Sequence, residues 1–272
     1  MRERKTVKSS MTLGVNIDHV AVLREARQVN DPDIIQALYV ACENGANQIT
    51  IHLREDRRHI QDSDVKNIMA LSKLPVNLEC AIDRKILDIV CQMKPHRATL
   101  VPEKREEVTT EGGLDTNKYE QEISYAIEQL HDSLIPVSLF VDPSIEAMEN
   151  SKELGAEMVE LHTGTFANLY NMLHSNLPHS NHSVKEFELP RYELSDRLEK
   201  SLQDIKDAAI HANKIGLEVA AGHGLNYHNV HEMMKIEEII ELNIGQSIIA
   251  RSVFTGLADA VKEMKRLTTR DV

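Results

Sequence analysis

The sequence predicts a single-domain α/β protein of the (β/α)8 barrel type. Short apolar runs rich in β-branched residues alternate with longer segments of helical periodicity from end to end, giving eight βα units. The length of 272 residues is near the roughly 250 residues that this fold usually takes. No Gly-x-Gly-x-x-Gly turn follows the first predicted strand, so a doubly wound dinucleotide-binding sheet lacks its characteristic motif.

Each unit begins with a predicted strand and continues into a helix. The predicted strands cover residues 12–17, 48–53, 76–80, 98–101, 136–141, 158–162, 218–221 and 239–244. Helices are predicted over segments that include 31–44, 63–71, 83–93, 118–132, 143–154 and 198–215. Domain bounds follow from these elements: residues 1–11 form a flexible N-terminal extension, and residues 12–272 form the barrel.

Helix ends carry recognisable signals. Two aspartates precede prolines, and we expect each to cap a helix whose first position is that proline: Asp31 and Asp142. Three glycines directly follow predicted helices, where a left-handed backbone is common: Gly45, Gly155 and Gly216.

Two connections exceed the usual length of a loop in such a barrel. Residues 102–117 are polar and contain a Gly pair, which suits a mobile lid. A loop insertion is predicted at about 165–192, after the sixth strand. It contains His174, His179 and His182, but their irregular spacing favours a solvated surface insertion over a metal site.

Composition excludes several classes of function. The hydrophobic fraction of 42% indicates a folded chain, and the net charge of −12 argues against a nucleic-acid or anionic-membrane partner. No apolar run approaches the roughly 18 residues of a membrane span. Cys42, Cys80 and Cys91 form no paired pattern, which favours a reducing, cytoplasmic location without structural zinc.

Polar residues recur where the predicted strands end, which is the active-site end of a (β/α)8 barrel. They are Asn16, Asp18, His19, His52, Arg54, His59, Glu79, Glu160, His162 and His223. A lone strand-end histidine such as His19 or His162 is more often structural than catalytic. His52 and Glu79 are different, because each lies at the end of a strand whose other residues are mostly apolar. Burial of such polar side chains costs free energy, which favours a functional role for them.

Glycine-rich turns after strands seven and eight predict phosphate binding. Gly222 and Gly224 flank His223, and Gly245 and Gln246 open the last helical region. Barrels commonly bind phosphate there through backbone amides and a helix N-terminus. Further anion donors are Arg27, Arg54 and Thr109, so two phosphorylated substrates are expected.

No predicted strand ends in lysine, so an enzyme Schiff base is not expected. General acid–base catalysis by separate groups is the simplest hypothesis. Two alternatives stay open. One is a metal-dependent sugar-phosphate epimerase or aldolase that uses His52, Glu79 and His223 as ligands. The other is an inactive barrel that binds a phosphorylated metabolite.

The chain resembles the pyridoxine 5′-phosphate synthase family of vitamin B6 biosynthesis over about residues 12–267. The ten residues 50–59 around His52 are the most specific match. The other matching motifs follow in family order at 14–19, 77–79, 100–105, 107–115, 160–164, 221–225 and 241–245.

This resemblance implies a cofactor-free, metal-free (β/α)8 transferase-type synthase that assembles as a homo-octamer. It would condense 1-deoxy-D-xylulose 5-phosphate with 3-amino-2-oxopropyl phosphate to give pyridoxine 5′-phosphate, phosphate and water. By similarity, His52 and Glu79 are general bases, His223 is the general acid and Glu160 stabilises the transition state.

The resemblance also implies two binding sets. The amino-ketone substrate would contact Asn16, Arg27, Gly224, Gly245 and Gln246. The sugar phosphate would contact Asp18, His19, Arg54, His59 and Thr109. In the family, the equivalent of Arg27 can reach a neighbouring subunit's site.

The chain departs from the family in two places. Gln246 stands where the family often has histidine, and the 165–192 insertion is long.

Overall fold

Eight parallel strands pair in sequence order, and the eighth pairs with the first to close a barrel. The (β/α)8 prediction is confirmed. The protein is described by a computed structural model that covers residues 11–103 and 112–270. The strands are β1 (Thr12–Asn16), β2 (Gln48–Leu53), β3 (Val76–Cys80), β4 (Arg97–Leu100), β5 (Val137–Val141), β6 (Met158–His162), β7 (Glu218–Gly222) and β8 (Ile239–Ile244).

Helices surround the barrel. They are α1 (Asp18–Glu25), α2 (Ile34–Glu43), α3 (Asp62–Leu71), α4 (Arg84–Met93), α5 (Glu120–Asp132), α6 (Ile145–Glu153), α7 (Gly164–His174), α8 (Arg191–Lys214), α9 (Val230–Met233), α10 (Gln246–Thr255) and α11 (Leu257–Leu267). Within the described part of the chain, no helix has the length and apolar character needed to span a membrane.

Helix α1 was not among the predicted helices, because it follows the first strand with almost no intervening loop. It begins at Asp18, one residue beyond its N-cap Ile17. Met11, which we placed in the N-terminal extension, is buried, and residues 1–10 lie outside the described residues.

The two aspartate caps were assigned to the wrong residues. Helix α2 begins two residues later than Pro32, and the Asp33 carboxylate accepts a hydrogen bond from the Ile35 N–H. Helix α6 is capped by Ser144. The Asp142 carboxylate is engaged elsewhere, because it bonds the His162 ring. The prediction for the three glycines is confirmed, since each has a positive φ after its helix: Gly45, Gly155 and Gly216.

The segment expected to be a loop insertion is partly helical. Its first part forms α7, and two short 3-10 helices, Leu177–His179 and Lys185–Phe187, lead into α8. Apolar residues of this segment pack with Leu194 of α8 in a small cluster of their own: Leu169, Met172 and Phe187. This apolar packing explains why the segment is ordered in spite of its polar composition. The three histidines of the segment are exposed.

The barrel interior is polar. Alternate strand residues such as Leu13 and Ile49 belong to the apolar core. Other side chains meet across the barrel: Arg97 on β4 forms an ion pair with Glu241 on β8, and Thr50 on β2 donates to Asn243 on β8. Because β4 and β8 are not neighbouring strands, this ion pair must cross the interior of the barrel.

Glu241 has three partners in this interior network. Besides Arg97, the amides of Gln48 and Asn243 each donate to its Oε1 at 3.0 Å. The carboxylate is only 5% exposed, so its charge depends on these partners.

We predict that Arg97→Met destabilises the protein by about 3–5 kcal/mol, because it leaves the Glu241 charge buried without its cation. Urea unfolding measures the change in free energy. The double variant Arg97→Met/Glu241→Leu should regain most of the loss. The control Lys262→Met alters an exposed ion pair and should stay within about 0.5 kcal/mol. An Arg97→Met loss no larger than that of the control contradicts the prediction.

Candidate active site

A cavity of about 260 Å³ opens at the carboxyl ends of the strands. It gathers residues from the first, third, sixth, seventh and eighth strand ends, where the sequence predicted polar groups, whereas His52 and Arg54 from the second strand end do not line it. The sequence-predicted residues that line it are Asn16, His19, Glu79, Glu160, His223, Gly224, Gly245 and Gln246. The cavity therefore brings carboxyl groups, imidazoles and glycine-rich turns to one place.

Two carboxyl groups in the cavity favour their protonated forms. Burial raises the pKa of Glu160 to about 7, and the nearby Glu241 charge adds to the effect. Burial also raises the pKa of Glu79 well above its ordinary value, with Glu160 and Asp18 as further causes. Arg97 acts in the opposite direction on both groups, but it is outweighed. This pair can hold and exchange protons near neutral pH.

Asn243 fixes the position of Glu160. Its Nδ2 donates to Glu160 Oε2 at 2.7 Å and to Glu241 Oε1 at 3.0 Å. Room for the carboxylate comes from Gly222, since a Cβ atom at that position would lie 2.1 Å from Glu160 Oε1. The interior network is therefore continuous with the cavity.

His223 has an unusual backbone for a non-glycine residue, with φ of 77°. Its ring lies 5.1 Å from that of His162, measured between centroids, and 6.2 Å from that of Phe140. Burial lowers the pKa of His223 to about 4, and the neighbouring imidazoles His162 and His19 contribute. In the ligand-free protein this ring is neutral at pH 7.

His52 is held from three sides. Its backbone N–H donates to Asp18 Oδ1 at 2.9 Å. Its Nε2 lies 2.7 Å from Glu103 Oε1, and its Nδ1 lies 4.0 Å from Glu79 Oε2. The ring of His59 is 6.1 Å away between centroids. His52 is thus next to the carboxyl pair of the cavity.

The polar residues after β1 form a small turn. Asn16 Nδ2 donates to Asp18 Oδ2, and the Asp18 N–H donates back to Asn16 Oδ1, both at 2.9 Å. This turn directs His19 into the cavity, where burial lowers the pKa of His19 although Asp18 opposes the shift.

The remaining predicted residues lie around or away from the cavity. Arg54 is buried, with its Nε 3.5 Å from Asp56 Oδ1. His59 is buried, and burial lowers its pKa. Arg27 is exposed beyond α1 and does not line the cavity. Thr109 and half of the expected lid fall within 104–111, outside the described residues.

Sequence reasoning missed two contacts at this end of the barrel. Glu103, which bonds His52, stands at the edge of a charged run that gave no reason to single it out. His162 was interpreted as structural, and its Nδ1 lies 2.9 Å from Asp142 Oδ1. Only spatial proximity distinguishes these groups. Among residues 11–103 and 112–270, no group of three or more potential metal ligands is close enough to hold an ion.

Comparisons with known proteins agree on one family. The sequence model described as "Pyridoxal phosphate biosynthesis protein PdxJ" matches residues 13–270. A protein of Sulfurimonas denitrificans named "Pyridoxine 5′-phosphate synthase" is 78% identical over 260 residues, which cover 96% of this chain and 100% of the relative. A protein of the same name from Aliarcobacter butzleri is 60% identical over 96% of this chain and 100% of the relative.

Solved structures of low sequence identity share the fold. A tryptophan synthase from M. tuberculosis has a TM-score of 0.60 at 8% identity, covering 97% of this chain and 94% of the other. A 4-hydroxy-2-oxoglutarate aldolase has a TM-score of 0.57 at 11% identity, covering 94% of each chain. At such identities the likeness supports the barrel architecture alone.

We predict that ionisation of Glu160 lowers the free energy of unfolding between pH 5 and pH 8, in opposition to the rise contributed by the histidines with lowered pKa values, and that Glu160→Gln reduces this lowering. A carboxyl group whose folded-state pKa is raised to about 7 binds a proton that the unfolded chain has already released, so stability decreases as pH rises through this window. The reduction is on the order of 1–3 kcal/mol, measured by urea unfolding across pH. The exposed control Glu128→Gln should keep the wild-type slope. Equal slopes for Glu160→Gln and wild type contradict the assignment.

Proposed function

We propose, from the premise that the chain belongs to the PdxJ family of pyridoxal phosphate biosynthesis proteins, that it is a pyridoxine 5′-phosphate synthase. The reaction condenses 1-deoxy-D-xylulose 5-phosphate with 3-amino-2-oxopropyl phosphate to give pyridoxine 5′-phosphate, phosphate and water. The observation that carries the proposal is the cavity in which Glu79, Glu160 and His223 meet beside glycine-rich turns.

The two phosphates would be bound at different sides of this cavity. Gly245 and Gln246 lie at the start of α10, where backbone N–H groups and the helix dipole favour an anion. A Cβ atom at position 224 would lie 2.6 Å from the Ala167 Cβ, so glycine permits the close turn beside this site. The amino-ketone substrate would use these groups with Asn16.

The sugar phosphate would use the other set of residues, Asp18, His19, Arg54, His59 and Thr109. Arg54 and His59 are buried close to His52, which supports their assignment to a common site. Asp18, which bonds Asn16 and the His52 backbone, would orient a sugar hydroxyl rather than the phosphate, because two anions repel.

The acid–base roles follow from how the substrates change the cavity. The ammonium group of the amino-ketone would lower the pKa of Glu79, so that its carboxylate forms and can act as a base. A phosphate near His223 would raise its pKa and supply the proton that a general acid needs. Glu160, with a pKa of about 7, can stabilise a cationic imine. That imine joins the two substrates, so no enzyme lysine is required.

Proton transfers then follow at separate atoms of the chain. His52 and Glu79 would remove protons from carbon and nitrogen, and His223 would protonate oxygen as the two molecules of water leave. Loss of phosphate and aromatisation of the ring complete the sequence. The 102–117 connection would act as a lid that excludes water from the intermediates.

The proposal extends to assembly and location. A homo-octamer would give Arg27, exposed beyond α1, a role in a neighbouring subunit's site. The enzyme would need no cofactor, and it would be located in the cytoplasm. The three cysteines are free thiols, which suits a reducing compartment.

We expect metal-stripped protein to form the pyridine chromophore when both phosphorylated substrates are mixed, followed by absorbance and mass spectrometry. His52→Asn and Glu79→Gln should each lower kcat by about 10²- to 10⁴-fold, because each removes a proton-transfer group. Lys262→Met, an exposed position on α11, is the matched control and should keep wild-type turnover. No product from folded wild-type protein would refute the synthase assignment, and activity only after metal is restored would favour a metal-dependent enzyme.

We also expect 1-deoxy-D-xylulose 5-phosphate or the amino-ketone phosphate to raise the pKa of His223 from about 4 towards neutrality. Histidine NMR titration of the free and substrate-bound protein measures this shift, and His223→Gln identifies the signal. The shift should be at least about one unit, since an anion within about 4–6 Å has effects of this size. A signal that does not move with either substrate would remove His223 from the role of general acid.

A further inference from the structure

We infer that Glu103 is a positioning residue that fixes the tautomer of His52, so that Nδ1 of the ring is the atom that accepts a proton. The kinetic consequence of this inference rests on the proposed function. The contacts that support the inference do not depend on that function. Glu103 directly follows Pro102 in the connection after β4, and its side chain is only 5% exposed.

Both oxygens of the Glu103 carboxylate are occupied. Oε1 lies 2.7 Å from His52 Nε2, and Oε2 accepts the backbone N–H of Glu55 at 3.1 Å. Burial by itself raises the pKa of Glu103. The hydrogen bonds to His52 and Glu55, together with the positive charges of His52 and Arg54, outweigh burial and bring the pKa below its usual range. The group is therefore an anion at neutral pH and can only accept hydrogen bonds.

An acceptor at 2.7 Å determines which ring nitrogen carries hydrogen. Because the Glu103 carboxylate has no proton to give, Nε2 of His52 must be the donor. In the neutral ring, Nδ1 then carries the lone pair. Nδ1 is also the nitrogen nearer to Glu79, at 4.0 Å from its Oε2. The geometry thus directs the basic nitrogen towards the carboxyl pair of the cavity.

A carboxylate in this position also supports proton transfer. When Nδ1 takes a proton from the substrate, the ring becomes an imidazolium, and the adjacent Glu103 charge stabilises it. Glu103 need not be protonated itself in this step. It would act through His52 rather than on the substrate.

An amide cannot replace this carboxylate without loss. If the oxygen of a glutamine kept the Glu55 N–H, its NH2 group would face Nε2 and favour hydrogen on Nδ1 instead. If the oxygen accepted from Nε2, the NH2 group would meet the Glu55 N–H, which is also a donor. Only a group with two acceptors satisfies both neighbours, and this explains why the position holds glutamate.

Other charged or titratable groups surround the same ring, and their effects must be separated. They are Glu79 on β3, Asp18 on α1, and Arg54 and His59 after β2. Of these, the structure gives only Glu103 a side-chain hydrogen bond to the ring within the described residues. The tautomer of His52 depends directly on the contact with Glu103, whereas a pH profile of activity reflects all of these groups.

The experiment is 15N NMR of histidine-labelled, ligand-free full-length protein, with His52→Gln used to identify the signals of His52. At a pH where the wild-type ring is neutral, we expect hydrogen on Nε2 and none on Nδ1. In Glu103→Gln the fraction of neutral rings with hydrogen on Nδ1 should rise. A neutral wild-type ring with hydrogen on Nδ1 would overturn the inference, as would an unchanged tautomer in Glu103→Gln.

Kinetics supply the second measurement. Glu103→Gln should lower kcat about 10- to 100-fold, because His52 remains but its Nδ1 more often carries hydrogen and then cannot accept a proton. KM should change less than about threefold, since Glu103 would act through His52 rather than on the substrate. Glu103→Asp keeps the charge and should recover part of the activity and the wild-type tautomer. The exposed control Glu128→Gln should match wild type in both measurements.

The two hypotheses fail in different ways. Absence of pyridine product from wild-type protein would refute the synthase proposal, while the NMR signals of His52 would still decide the role of Glu103. Normal turnover by a correctly folded Glu103→Gln protein would refute the positioning role and leave the synthase proposal intact. If Glu103→Gln fails to fold, Glu103→Leu and Glu103→Asp carry the test. Equal kcat losses in these two variants would indicate a structural role only.

Discussion

The burial of several carboxyl groups within one barrel is the constraint on which the rest of this structure depends. Arg97 is the interior cation, and its ion pair with Glu241 compensates one of the charges. Asn243 then connects Glu241 to Glu160 through one amide group. Burial, which Arg97 offsets only in part, raises the pKa of Glu79 well above its ordinary value and that of Glu160 to about 7. The raised pKa values of Glu79 and Glu160 are therefore a consequence of their burial in the barrel.

Strand periodicity explains why this chemistry appears at one end. Successive inward positions of a strand are two residues apart, so the residues Gln48, Thr50 and His52 point into the barrel at increasing height along β2. The lower two belong to the interior network, and the third reaches the mouth. Parallel strands all end on the same side, so one such residue per strand suffices to build a site.

The sequence predicted the features that depend on local residue patterns. Strand and helix periodicity predicted the barrel, and the polar strand ends predicted the groups of the cavity. Long-range partners were not predictable, because the Arg97–Glu241 ion pair joins residues 144 positions apart and no local pattern links the two. The helix caps failed for a related reason: Asp142 has the local pattern of a cap but bonds His162. Tertiary contacts override a local preference of about 1 kcal/mol.

The protonation states of the free protein also resolve an apparent conflict between its charge and its proposed substrates. A chain with a net charge of −12 should repel phosphate esters. Inside the cavity, however, burial raises the pKa of Glu79 and Glu160, so each holds a proton more readily than an exposed carboxyl group, and burial lowers the pKa of His223. These two carboxyl groups thus contribute less negative charge than they would in water, and the N-terminus of α10 adds a positive dipole. Burial, which makes each carboxylate costly, is therefore the same property that would let an acidic protein accept the two anionic substrates proposed for it.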